Sequence, residues 1–195
     1  LGSRGLGDVY KRQGYDAEIL GHKGGIVKGR DIRLGKLVTM FYRTVTRPAL
    51  MKKTFLTYKS SLTKEISEDA KREFLIFETE RINPYKDTWR NLKNYAKSDE
   101  VFACFCGSDQ IWNATNIYID PLFYLKFAPK YKRIAYAPSF GKNEIPYYNK
   151  NIIKKNITDI NYISVREEQA VKIIKDLIGR DVEAVLDPVS YTHLT

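Results

Sequence analysis

Four polar clusters stand directly after apolar runs in this chain. Gly107-Ser108-Asp109-Gln110-Ile111-Trp112-Asn113 follows Val101–Cys106, and Pro138-Ser139-Phe140-Gly141 follows Arg133–Ala137. Arg166-Glu167-Glu168 follows Tyr162–Val165, and Asp187-Pro188 follows Glu183–Leu186. Together they supply hydroxyls, side-chain amides, carboxylates and a guanidinium. Each alone has an ordinary explanation, as a helix cap, a tight turn, a surface ion pair or a turn at a domain junction. All four fall where parallel strands would end, and open α/β sheets bind ligands beyond the carboxyl ends of their strands. Metal chemistry has little support. Cys104 and Cys106 alternate onto one side of a strand and read as small core residues, and no further Cys or His completes a ligand set. His22 lies in a loop far from the clusters.

The elements that must position these clusters follow from apolar periodicity. Tyr15–Leu20 and the four runs above read as strands, rich in Val, Ile, Tyr and Phe. Val101–Cys106 is apolar without alternation, which predicts a strand buried on both faces, as in a parallel sheet. Ser67 is a good N-cap for a helix that places Ala70, Phe74 and Phe77 on one face and stops at Asn83-Pro84. Further helices are predicted over Asp87–Lys97, over Asn149–Asp159 with Ile153, Ile157 and Ile160 at helical spacing, and through Ala170, Val171, Ile174, Leu177 and Ile178, ended by Gly179. Gly21–Ser61 reads as one or two helices after a turn at Gly24-Gly25, which lacks the spacing of a dinucleotide fingerprint. Strand and helix alternate along the second half, which predicts a doubly wound α/β sheet.

The 195 residues are 43% hydrophobic and 13% aromatic, enough for a sizeable core. No apolar run approaches the roughly 20 residues of a membrane span. No signal peptide opens the chain, and two cysteines cannot build a disulfide framework, so a cytoplasmic setting is expected. The net charge is +10. Basic residues run through the whole chain, which favours solvated helix faces over a dedicated nucleic-acid patch, and a small anionic substrate fits either reading. Residues 1–13 and 190–195 have no apolar period and resemble adapter-derived tails, leaving 14–189 as the expected domain.

The strings FCGSDQIWN (Phe105–Asn113), KRIAYAPSFGKNEIP (Lys132–Pro146), ISVREEQAV (Ile163–Val171) and VLDPV (Val185–Val189) resemble the polysaccharide pyruvyl transferase family in order and spacing. The resemblance extends over roughly residues 14 to 189. It implies a Rossmann-like first half of a glycosyltransferase-B-like, two-domain enzyme. The family's opening strand and second domain would lie outside the chain, which alone is expected to be inactive. The activity implied is transfer of a pyruvyl group from phosphoenolpyruvate, a co-substrate, to a saccharide or lipid-linked saccharide as a ketal, without a bound cofactor, in exopolysaccharide biosynthesis. Peripheral association with the inner face of the membrane would fit such an acceptor.

On that resemblance, Arg166 grips the donor's carboxylate or phosphate bidentately, and Asp109 is the base or orients the sugar. Backbone N–H groups of Gly107, Ser108 and Ser139 would hold anionic oxygens if they open helices. Gln110 and Asn113 would bond sugar hydroxyls or brace their loop, and Gly141 completes the substrate contacts. Trp112 reads as a packing anchor, and Glu167 and Glu168 as first-turn acids favoured by the helix dipole. Two other classes compete. One is a glycosyltransferase of similar build using a nucleotide sugar, separated by donor competition. The other is a basic nucleic-acid-binding module, separated by salt-titrated binding.

Overall fold

The computed structural model describes residues 14, 16–20, 30, 32–50, 56, 67–77 and 88–187; at 70, 71, 74, 75 and 77 it describes the backbone alone. Four parallel strands form one sheet in the order β1 (Cys104–Cys106), β2 (Arg133–Ala135), β3 (Tyr162–Val165) and β4 (Glu183–Ala184). The register sets Phe105 beside Ile134, Ala135 beside Ile163, and Val165 beside Ala184. Two bonds carry the pairing past the strand ends, from Tyr136 N–H to Cys106 O at 2.9 Å and from Val185 N–H to Val165 O at 2.8 Å. All four strands therefore present their carboxyl ends on one edge.

Five helices accompany the sheet: α1 (Ile32–Thr46), α2 (Glu68–Phe77), α3 (Trp89–Lys97), α4 (Tyr147–Ile157) and α5 (Glu168–Ile178). Thr88 caps α3 by accepting from Asn91 N–H at 3.1 Å, so the helix starts just after the expected Asp87. Pro146, with its fixed φ, precedes the first residue of α4 and starts that helix before the expected Asn149. Gly179 at φ 70° ends α5 in the left-handed conformation that glycine adopts without penalty. α4 buries Ile153 and Ile157, and α5 buries Ala170, Ile173, Ile174 and Leu177, all in the same apolar cluster as Ile163 and Val165.

The β1–β2 connection is unusual for a parallel pair because it contains no α-helix. It runs through two 3-10 turns, Pro121–Tyr124 and Lys130–Lys132, and buries Trp112, Ala114, Leu122, Tyr124, Leu125 and Phe127. Asp120 caps the first turn, accepting from Leu122 N–H at 2.8 Å, and pairs with Arg30. Asn149 ties α4 to this connection, donating to Ala114 O at 2.7 Å and Asn116 O at 2.9 Å, while its Oδ1 accepts from Arg43 of α1.

Several strand expectations need correction. Asp16–Ile19 form no strand, and Leu20 makes only an isolated bridge. The run Val101–Cys106 contributes only its last three residues to the ladder, and it is not buried on both faces. Phe102 is 89% exposed and Phe105 partly so. β1 is an edge strand of this sheet. The strands expected over Arg133–Ala137 and Glu183–Leu186 end early, the first because Ala137 takes a positive φ of 51°. The expected double winding is shown only as far as an α/β parallel sheet, since the strand order has no reversal among the described residues. The expectations for residues 1–13, His22, Gly24-Gly25 and 190–195, and for the inward face of the Ser67 helix, lie outside the described residues or side chains.

Candidate functional site

The site begins at Gly107, the first residue beyond β1. Its φ is 140°, and a Cβ added there would stand 1.8 Å from Tyr136 O. Only glycine lets the loop after β1 lie this close to the strand beside it. That loop is fixed to its neighbour by a bond from Ser139 N–H to Asp109 O at 3.1 Å and another from Ala114 N–H to Phe140 O at 3.3 Å. Below it, Trp112 is fully buried, donates from Nε1 to Phe123 O at 3.0 Å, and stacks on Tyr124 at 5.4 Å with Phe140 at 5.5 Å. Trp112 is a packing anchor, as the sequence suggested.

On this base the four clusters meet at the same edge. Asp187, beyond β4, joins three of them. Its Oδ1 accepts from Ser108 Oγ at 2.9 Å, and its Oδ2 from Arg166 Nη1 at 3.1 Å. Arg166 also donates from Nε to Glu167 Oε1 at 3.2 Å. Burial opposes the charge on Arg166, but the hydrogen bonds to Asp187 and Glu167 outweigh it and hold the guanidinium above its usual pKa. Its Nη2 makes no hydrogen bond among the described residues, leaving one donor edge open. Asp109 is exposed and accepts from Gln110 N–H at 2.7 Å. Gly141, at φ 63°, leaves room for the Gln110 side chain, whose Oε1 would lie 2.8 Å from an added Cβ.

One open alternative closes and two expectations change. Asn113 braces its own loop, with Oδ1 accepting from Thr115 N–H at 3.0 Å and Thr115 Oγ1 at 2.7 Å. The Ser139 N–H is engaged by Asp109 O, and the Ser139 hydroxyl accepts from Gly141 N–H at 3.0 Å, so Ser139 holds the two loops rather than presenting an anion cradle. Neither the Gly107–Asn113 nor the Pro138–Gly141 loop opens directly into a helix; the Arg166 loop does, with Glu167 at the N-cap of α5. The sequence placed Asp187 at the strand edge but gave it only a turn role, because its Pro neighbour signals a turn; it is 17% exposed and bonded to two other clusters. The signal available was its place after a strand, the same as for the other three.

No group of three or more His, Cys, Asp or Glu among the described residues suits a metal ion. Burial pushes the Cys104 thiol up to about 11 and the Cys106 thiol higher still, so both stay protonated core groups. A depression of about 480 Å³ lined by Lys154, Lys155 and Asp159 lies at the C-terminal end of α4. That end feeds the start of β3, so the depression sits opposite the converging clusters.

An α/β protein with a parallel sheet and a polar cluster at the carboxyl edge of each strand is built as a ligand-binding or catalytic domain. A family model for polysaccharide pyruvyl transferase matches residues 49–194, and the chain belongs to that family. The matched span includes all four clusters, but not the stretch from Gly14 that the sequence reading also included. No curated protein and no solved structure matches the chain.

Proposed function

We propose that this chain carries part of the active site of an enzyme that moves a pyruvyl group from phosphoenolpyruvate to a saccharide as a ketal. The reading rests on the convergence of Ser108, Asp109, Arg166 and Asp187 at one sheet edge within the family span. In the reaction, two sugar oxygens bond to the donor's central carbon and the bond to phosphate breaks. One hydroxyl proton is transferred to the methylene, which becomes methyl, and the other leaves with phosphate. The exposed Asp109 carboxylate is suited to take a hydroxyl proton, and Gln110 to bond the neighbouring hydroxyl. Arg166, held from one side by Asp187, offers its open Nη2 edge to the donor's phosphate or carboxylate. The site needs no bound cofactor for this chemistry.

The test is donor competition by calorimetry, phosphoenolpyruvate against a nucleoside-diphosphate sugar, with phosphate release measured on saccharide acceptors. Phosphoenolpyruvate should bind, and Arg166→Ala should weaken it about tenfold or more. Preference for the nucleotide sugar would favour a glycosyltransferase. Unchanged donor binding by Arg166→Ala would remove that residue from the site.

A further inference from the structure

The loop after β1 reaches well beyond its own strand. Ser108 follows β1 and Asp187 follows β4, the outer strands of the described sheet, about 14 Å apart at the usual strand spacing. The loop crosses the ends of the two strands between them. Gly107 lies against Tyr136 O just beyond β2, and the Ser108 carbonyl stands 3.5 Å from Arg166 Nη1 just beyond β3. The hydroxyl of this fully buried serine then reaches Asp187 Oδ1 at 2.9 Å. The backbone that carries Asp187 is fixed in turn. Val185 N–H donates to Val165 O at 2.8 Å, and Tyr136 Oη donates to Leu186 O at 3.5 Å.

One carboxylate therefore engages the β1 loop with one oxygen and the guanidinium beyond β3 with the other. Glu167 also accepts from Arg166, but it is the next residue and 41% exposed, so it moves with the arginine and cannot place it. Fixing a long arginine side chain costs rotamer entropy, and a partner on another strand meets that cost before a ligand arrives. We infer that Asp187 is the positioning residue of this edge, a role that rests on the donor contact proposed for Arg166: it holds the guanidinium in place and leaves Nη2 open to the anion. Coulomb's law alone gives Asp187 the opposite effect, because a carboxylate beside an anion site repels the anion. The sign of the change on removing it separates the two.

Calorimetry with phosphoenolpyruvate, on the full chain and its variants, reads that sign. Asp187→Ala should weaken binding about fivefold or more, although it removes a negative charge. Ser108→Ala, a smaller change that frees Oδ1, should weaken it about twofold. In an Arg166→Ala background Asp187→Ala should weaken nothing further, since Asp187 acts through that arginine. Asp187→Asn keeps an oxygen for Nη1 and an amide that can donate to Ser108 Oγ, and should restore most of the binding. Asp181→Asn, which removes an equal charge from the exposed pair with Lys175, should bind like the parent. Nitrogen-15 NMR reads the hold without a ligand. The Arg166 Nη resonances, assigned by their loss in Arg166→Lys, should be resolved in the parent and averaged in Asp187→Ala. Parent-like or tighter binding by Asp187→Ala or Ser108→Ala, an equal loss in the Arg166→Ala background, or Nη resonances that Asp187→Ala leaves unchanged would overturn the inference. A parent that binds no phosphoenolpyruvate would remove the donor reading instead, and the Nη resonances would still decide whether Asp187 holds Arg166.

Discussion

Gly107 and Gly179 both have positive φ, yet a methyl group would affect them very differently. At Gly179 nothing lies within 4 Å of an added Cβ, so Gly179→Ala carries only the left-handed backbone penalty, about 1 kcal/mol. At Gly107 the Cβ would collide with Tyr136 O, and Gly107→Ala is expected to cost about 3 kcal/mol and to separate the first two site loops. Paired urea titrations check the contrast. Arg166 invites a different test, because its charge is already shared between Asp187 and Glu167. If its open edge receives an anion, Glu167→Gln should tighten phosphoenolpyruvate binding, by about two- to threefold for so exposed a pair. Calorimetry that finds weaker binding instead would count against an anion at this edge. The residue types at the edge were legible in the sequence because each cluster follows an apolar run. Their partners were not. That Asp187 accepts from Ser108 and Arg166 depends on β3 and β4 pairing side by side, and a DP dipeptide reads locally as a turn.

At the scale of elements, helices were easier to read than strands for a physical reason. α5 repeats its apolar residues over three turns and ends on a glycine; Ala170, Ile174 and Leu177 of the expected stripe are buried together with Ile173, while Val171 and Ile178 are half-buried at its edges. The strands here pair over two to four residues, too few for any period to register. The β1–β2 connection was hardest, since its core residues lie in turns with no regular spacing. Its burial is nonetheless deep enough to measure. Trp112→Ala is expected to cost about 3–5 kcal/mol, as for other large buried side chains. Thermal and denaturant unfolding would show it. A loss below 1 kcal/mol would mean that the loop is not part of the core.

At the scale of the molecule, charge at the amino edge of the sheet should set its acid stability. Asp159 accepts from Lys126 at 2.6 Å and lies 2.8 Å from Lys130, joining the end of α4 to the β1–β2 connection. These hydrogen bonds, Lys126 first, hold its carboxyl at about 2 instead of 3.8. A folded-state pKa below the unfolded one adds stability above pH 3.8, which is lost as pH falls toward 2. Acid titrations of the parent should therefore slope through that window, and Asp159→Asn should flatten the slope. The segment leading into edge strand β1 exposes Phe102 on the same body, beside a strand edge open to unwanted pairing when the sheet loosens.

Trp112 also gives the domain an optical property. The chain has two tryptophans, and this one is sealed beneath the Gly107–Asn113 loop, between Tyr124 and Phe140. Water cannot reach the indole unless that loop lifts off the core, so a red shift in its emission reports the loss of the site itself. With Trp89→Phe to silence the other fluorophore, emission and backbone circular dichroism should melt at one temperature. The ligand loop and the core then form one cooperative unit, and any ligand that protects the loop raises the melting point of the whole domain.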